Sequence, residues 1–259
     1  MLKTLNIFKQ LWVSIFSPKD IASFQNQGIG KTILYVFFIS LIAFLPSAFY
    51  FGTMIVDGID AMHETVSEDL PAFEIKNGTL TTEEDEPFSL NKNGYQIFVD
   101  GSGALTPEKV AAEANEAVAL LKSDLVFVSG GNVQSSPYSV LEGDNQEIST
   151  WLDSVESVLP IIIPLLLLIL YLFTASGIFI KVTIIAAFGL FFKNALGRPL
   201  SYRHLWRISA YSITLATIFF TIMDAFQAIV PFASIISWFV TLMMLYLSIK
   251  ETSANKIES

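Results

Sequence analysis

An aspartate set in an apolar run is the residue of this chain whose type and place most invite chemistry. Asp224 stands in a stretch from Trp206 to about Val230 that also carries Ser209, Tyr211, Ser212, Thr214, Thr217, Thr221 and Gln227. An ionisable group in hydrocarbon is costly, so by default it marks an ion contact, a proton relay or a ligand site. Asp224, Gln227, Tyr211 and Arg207 are therefore the candidate functional polar residues. Asp224 follows Trp206 by 18 residues, about 27 Å of helix, so a helix end reaching interfacial water is the plainer reading. Lys181 follows Leu159 by 22 residues, about 33 Å, towards the opposite face, and the two are not expected to pair. The serines and threonines read first as hydrogen-bonding glue between helices.

Other constellations dissolve on inspection. Gly28-Ile29-Gly30-Lys31-Thr32 has the tail of a phosphate loop, but Phe24 stands near where its first glycine belongs and no strand precedes it. Glu83-Glu84-Asp85-Glu86 is a dense acidic run without the ligand spacing and glycine of a calcium loop, and reads as solvated chain. Asn77-Gly78-Thr79 fits a glycosylation acceptor formally, yet a hairpin turn accounts for it. Cysteine is absent, which excludes disulfides, thiolate metal sites and a cysteine nucleophile. His63 and His204 are the two histidines, far apart, which excludes a histidine-rich zinc site within one chain. No nucleophile with a base and no paired acids appear. The expectation is a protein that is not an enzyme, with no catalytic residue, no cofactor and no metal.

The elements that must position these residues are membrane helices. The chain of 259 residues is 53% hydrophobic, with a mean hydropathy of +0.56. The run from Leu159 to about Ile180 is too long and uncharged for a soluble helix. Residues 57–156 hold 20 of the 24 acidic residues and four of the 15 basic ones, a net charge of −16 against +7 elsewhere. An exported polar domain with basic loops left in the cytoplasm produces that split, and the excess acid argues against a nucleic-acid partner.

Four spans follow. Residues 1–31 read as a cytoplasmic amphipathic helix and turn, with Leu2, Leu5, Phe8, Leu11, Trp12, Ile15 and Phe16 at helical spacing. That stripe fits the bilayer interface and fits packing on the protein's own helices. Scattered lysines and the lack of a small-residue cleavage site argue against a signal peptide. Residues 32–56 form the first transmembrane helix. Residues 157–249 form a three-span bundle: one crossing from Leu159 to about Ile180, a buried or interfacial continuation to Phe192 with a bend near Ser176-Gly177, a basic cytoplasmic turn at 193–207, and two further spans. Lys193, Arg198, Arg203 and Arg207 select this reading over a tight hairpin, which would place all four outside. Residues 250–259 are a cytoplasmic tail, so both termini face the cytoplasm of a bacterial plasma membrane.

Residues 57–156 are expected to be a small α+β extracytoplasmic domain, a few antiparallel strands with one helix across them. The first stretch, to about Asp69, continues the span outward. Asn77-Gly78 turns a hairpin between Phe73-Glu74-Ile75 and Thr79-Leu80-Thr81, and Asn93-Gly94 introduces the strand Tyr95–Val99. Thr106-Pro107-Glu108 starts a helix whose apolar face is Val110, Ala114, Ala117, Val118 and Leu121. Asp124 to Val128 and Val133 to Val140 close the domain as a pair around Ser129-Gly130-Gly131-Asn132.

Leu11-Trp12-Val13-Ser14-Ile15-Phe16-Ser17-Pro18-Lys19, together with Leu196-Gly197-Arg198, Tyr202-Arg203 and Arg207-Ile208-Ser209-Ala210-Tyr211-Ser212, resembles bacterial members of the Yip1-like membrane superfamily. Over most of its length the chain more closely resembles an uncharacterised family of Gram-positive bacteria labelled maltodextrin utilisation protein (YvdJ-like). The label implies a neighbourhood with carbohydrate uptake and assigns no chemistry. Ile213-Thr214-Leu215 stands where the Yip1-like pattern has a proline, which implies a straighter helix. Two functions are expected in competition: a sensor, scaffold or accessory subunit whose extracytoplasmic domain binds a partner or ligand, and a small transporter or transport accessory acting as an oligomer. The partners implied are the lipid bilayer and a protein partner or a homo-oligomer.

Overall fold

The computed structural model describes residues 5–83, 86–92, 94–138 and 142–253. In chain order the helices and strands are α1 (Ile7–Phe16), α2 (Pro18–Ser23), α3 (Ile29–Glu64), β1 (Phe73–Lys76), β2 (Thr79–Thr82), β3 (Phe88–Lys92), β4 (Tyr95–Asp100), α4 (Pro107–Glu113), β5 (Glu116–Leu121), β6 (Asp124–Ser129), β7 (Asn132–Pro137), β8 (Gly143–Asp144), α5 (Asn145–Ala195), α6 (Tyr202–Ser212), α7 (Thr214–Ala225) and α8 (Ala233–Lys250). They divide into two units, one of residues 1–53 and 163–259 and one of residues 54–162.

Among the described residues, four helical stretches are long and apolar enough to cross a membrane: Ile29–Asp69, Asn145–Ala195, Tyr202–Ala225 and Ala233–Lys250. The first unit's core gathers Ile21, Tyr35, Val36, Ile39, Val182, Ile185, Leu205, Ile208, Tyr211 and Leu245. Large apolar side chains elsewhere on these helices stay exposed, Leu165, Leu168, Phe173 and Phe191 of α5 among them. A water-soluble protein rarely leaves so much contiguous apolar surface open, and acyl chains are its natural cover. Pro46, inside α3, removes one rung of that helix's hydrogen-bond ladder.

Two expectations about this unit need correction. The segment from Leu159 to Phe192 continues past Ile180 as helix, as expected, but the helix begins earlier than expected, at Asn145, and runs to Ala195. The third span is not one helix to Val230. It is divided at Ile213 into α6 and α7 although no proline stands there, and Thr214 just past the break directs its hydroxyl to that of Tyr35 at 2.6 Å. Helix α7 then ends at Ala225, five residues short of Val230.

Helix α1 uses both of its faces. Gln10 and Ser14 are buried, whereas Phe8, Trp12 and Phe16, spaced four apart, are about two-thirds exposed. The aromatic part of the expected stripe therefore does not pack into the unit's core, apart from an edge contact of Phe8 with Phe38 at 5.3 Å. Leu2 of that stripe lies outside the described residues, as do Glu84, Asp85, Asn93, Val140 and the tail beyond Ser253.

The second unit is more strand-rich than expected. One sheet has the order β2-β1-β8, the other β3-β4-β5-β6-β7. Asn77 and Gly78 both take positive φ, 52° and 72°, the geometry a two-residue hairpin turn requires, and Lys76 pairs with Thr79 across it. Gly130 and Gly131 serve the β6–β7 turn in the same way. The antiparallel expectation fails at one place: β4 and β5 run parallel, Phe98 opposite Ala119, which requires a crossover, and α4 supplies it. The expected helix through Leu121 fails for the same reason. It stops at Glu113, and Glu116–Leu121 is a strand whose Ala117, Ala119 and Leu121 face the core while their neighbours are half-buried. Val110 of α4 packs with Phe98, Ala117, Ala119, Val126 and Val128. A second cluster, Phe73, Ile75, Leu80, Val99, Tyr138 and Leu152, fills the other side.

Candidate functional site

Three polar assemblies emerge among the described residues, two in the first unit and one in the second. The first is a cleft of about 460 Å³ lined by Pro46, Ser47 and Tyr50 of α3 and by Asp224, Gln227, Ala228, Ile229 and Val230 around the end of α7. The Tyr50 hydroxyl donates to the Ala225 carbonyl at 2.7 Å and ties the end of α7 to α3. Helix α7 closes with the Ala228 N–H on the Met223 carbonyl at 2.9 Å, and Gln227 takes the left-handed conformation, φ 52°, that reverses the chain. Asp224 is exposed, and its carboxylate has no hydrogen-bond or ion-pair partner among the described residues.

The second assembly is buried. Tyr211 of α6 donates its hydroxyl to Gln10 Oε1 at 2.7 Å and accepts from Gln27 Nε2, while Gln10 Nε2 donates to the Leu5 carbonyl at 2.8 Å. The Tyr211 ring lies 4.1 Å from that of Tyr35 and 4.4 Å from that of Phe24. Arg207, one turn earlier, donates to the Gln25 carbonyl at 2.9 Å. Most helical hydroxyls of this chain bond back to their own preceding turn, as Ser40 does to Val36 and Ser212 to Ile208. Ser14 and Thr32 do not: both are fully buried and neither hydroxyl has a partner of ordinary geometry. Such groups are costly alone, and here they add to the demand for polar company in the core.

The third assembly joins α3 to α5 within the second unit. His63 Nε2 meets Ser149 Oγ at 2.8 Å and Asp153 Oδ1 at 3.5 Å, and Glu156 completes a group whose ligand atoms lie within 4.8 Å of one another. One imidazole and two carboxylates are a donor set that first-row divalent cations accept. Asp153 and Glu156 are exposed, so solvent meets their charge without an ion.

The four residues singled out from sequence thus separate into two pairs. Asp224 and Gln227 share the cleft; Tyr211 and Arg207 belong to the buried assembly near α1 and the turn at Phe24–Asn26. Lys181 donates to Ser237 Oγ at 2.8 Å and sits 5.8 Å from the Trp238 ring, away from Asp224 as its position implies. Sequence reasoning missed Ser47 and Tyr50, which have neighbours in the cleft 174 residues away or more, and missed Gln10 and Gln27. Gln10 and Ser14, one turn apart on the same face of α1, were the available signal.

The sequence model of the family described as a protein of unknown function (DUF1189) matches residues 8–249. No curated protein and no solved structure matches the chain.

Proposed function

We propose that this chain, which belongs to the DUF1189 family, is a non-enzymatic multi-pass plasma-membrane protein, a sensor, scaffold or accessory subunit whose acidic unit binds a partner or ligand outside the cytoplasm. The observation that supports this reading is a folded, two-sheet unit that follows one helix apolar enough to span a bilayer and precedes three more in chain order. The eight strands, two apolar clusters and parallel crossover among the described residues are far more structure than a connecting loop needs. Recognition surfaces are commonly carried by folded modules set outside the membrane. The topology belongs to the proposal: both termini in the cytoplasm, residues 57–156 outside, in agreement with the −16 and +7 split of charge.

Deleting residues 57–156 and joining the flanking spans by a short flexible linker tests the proposal. The deletion is expected to remove whatever protein copurifies at near-equal amount in mild detergent and to reproduce the phenotype of losing the whole gene. Unchanged partners with an unchanged phenotype overturn it.

A second reading, a small transporter or transport accessory acting as an oligomer, is favoured by the cleft that holds Asp224. The resemblance to the maltodextrin utilisation (YvdJ-like) family, and more distantly to the Yip1-like superfamily, would make maltodextrin uptake its setting. Undiminished maltodextrin flux in proteoliposomes with Asp224→Asn removes this reading.

A further inference from the structure

The charge at the cleft is out of keeping with its place. Asp224 is the second-last residue of α7, where aligned carbonyls already make the helix end negative and a carboxylate is least favoured. No lysine or arginine lines the cleft to offset it. Four basic residues of the same unit, Lys181, Lys193, Arg198 and Arg207, by contrast each donate to an oxygen. A local rule broken without an internal compensation points to function.

The walls of the cleft add a second observation. Ser47, Tyr50 and Gln227 are the other polar residues of the lining, whereas Pro46, Ala228, Ile229 and Val230 are apolar. Ile229 is 95% exposed, and Phe226 and Phe232 on the same loop are 77% and 76% exposed. Gln227 and Phe232, at the two ends of this loop, both take positive φ without being glycine, and such strain concentrates at ligand clamps. The cleft therefore joins one uncompensated negative charge to a surface that hydrocarbon suits.

We infer that the cleft binds an alkylammonium group carried on an apolar body. The ammonium lies against the Asp224 carboxylate, the Ser47 hydroxyl and Gln227 carbonyl oxygen take its remaining N–H groups, and the hydrocarbon runs along Pro46, Ile229 and Val230. A divalent cation is a poorer match, because it asks for several oxygen ligands and more than one carboxylate. A ligand whose only charge is negative finds no basic residue in the cleft. A free amphiphilic amine and an aminolipid of the bilayer share this chemistry. The inference rests on the reading of the chain as membrane-spanning and not on the acidic unit having a partner, so the two can fail separately.

The test uses the full chain in nanodiscs of phosphatidylglycerol, titrated with n-hexylammonium by calorimetry. A parallel arm uses nanodiscs of equal phosphatidylethanolamine and phosphatidylglycerol, with retained lipids counted by native mass spectrometry. Saturable one-to-one binding of hexylammonium, weakened at least tenfold by Asp224→Asn, supports the inference with a soluble amine as source. Retention of one phosphatidylethanolamine per chain, lost in Asp224→Asn, supports it with the lipid as source. Ile229→Lys, which tethers an ammonium beside the cleft at a side chain that is almost wholly exposed, is expected to compete and to weaken binding likewise. If Asp224→Asn does not fold, this second variant decides. No saturable binding in either arm, or equal binding by wild type and variants, overturns the inference.

Discussion

Replacing Asp100 by alanine should loosen the second unit by a calculable amount. Asp100 ends β4 and is 1% exposed. Its Oδ1 accepts from the Ser102 N–H at 3.0 Å, the Ser102 hydroxyl at 2.6 Å and the Gly103 N–H at 3.1 Å, and its Oδ2 accepts from the Leu105 N–H at 2.6 Å. One carboxylate thereby folds the connection from β4 to the Thr106 cap of α4, the crossover on which the parallel β4–β5 pairing depends. Alanine leaves three backbone N–H groups without their acceptor, at about 1 kcal/mol each. The loss is about 3 kcal/mol, or roughly a hundredfold in the opening equilibrium. Hydrogen exchange of the intact chain in detergent, followed by mass spectrometry on peptides from residues 95–129, reads that factor directly.

The pH dependence has a definite sign. Burial alone would raise the Asp100 pKa, but the Ser102 hydroxyl and the N–H groups of Leu105, Gly103 and Ser102 outweigh it and hold the carboxyl below the usual carboxylate range. A folded-state pKa below the unfolded value, about 3.9, means that the contribution is fully present above that pH and fades as pH falls through the folded pKa. The gap between wild type and Asp100→Ala should therefore be constant near neutrality and close in acid, after correction for intrinsic exchange rates. A gap under threefold at neutral pH, or one that persists undiminished in strong acid, would refute the reasoning.

Two further substitutions test other parts of the structure. Tyr211→Phe removes the hydroxyl that accepts from Gln27 Nε2 and donates to Gln10 Oε1 while the direct bond from Gln27 Nε2 to Gln10 Oε1 at 3.3 Å remains, so a loss of about 1 kcal/mol is expected. A melting temperature in detergent unchanged from wild type contradicts it. Asn145→Ala deletes the acceptor of the Phe73 N–H at 2.8 Å and the donor to the Val66 and Pro71 carbonyls, both at 3.2 Å, where α5 starts against β1. It should cost about 2–3 kcal/mol and speed exchange in residues 66–76 more than in residues 116–129; a uniform change across the unit contradicts the local account.

How much of this was legible in the sequence depended on whether the signal was local. The spans announce themselves because hydrocarbon demands about 20 apolar residues in a row, and Asn77-Gly78 announces its hairpin because both residues must take positive φ. The segment Glu116–Leu121 deceived for a physical reason. Its alanines favour helix in isolation, and only the close approach of α4 to the sheet makes small residues at Ala117 and Ala119 the right ones for a central strand. Strand β3 was overlooked since Phe88-Ser89-Leu90-Asn91-Lys92 carries a weak pattern, and its pairing with β4 is what holds it. The cleft was half legible. Asp224 and Gln227 stood out as polar groups in an apolar run, but Ser47 and Tyr50 are brought to them only by the packing of α3 on the end of α7.

The account turns on which side of the membrane the acidic unit occupies. Because the chain has no cysteine, single cysteines can be introduced and labelled without background. Ser89, exposed on β3, reports on the acidic unit, while Gly28, exposed just before α3, and Ser253, exposed after α8, report on the ends. With a membrane-impermeant maleimide, Ser89→Cys is predicted to label in intact cells, and Gly28→Cys and Ser253→Cys only after permeabilisation. Labelling of Ser89→Cys only after permeabilisation, or of either end in intact cells, would contradict the proposed topology and with it an extracytoplasmic recognition unit.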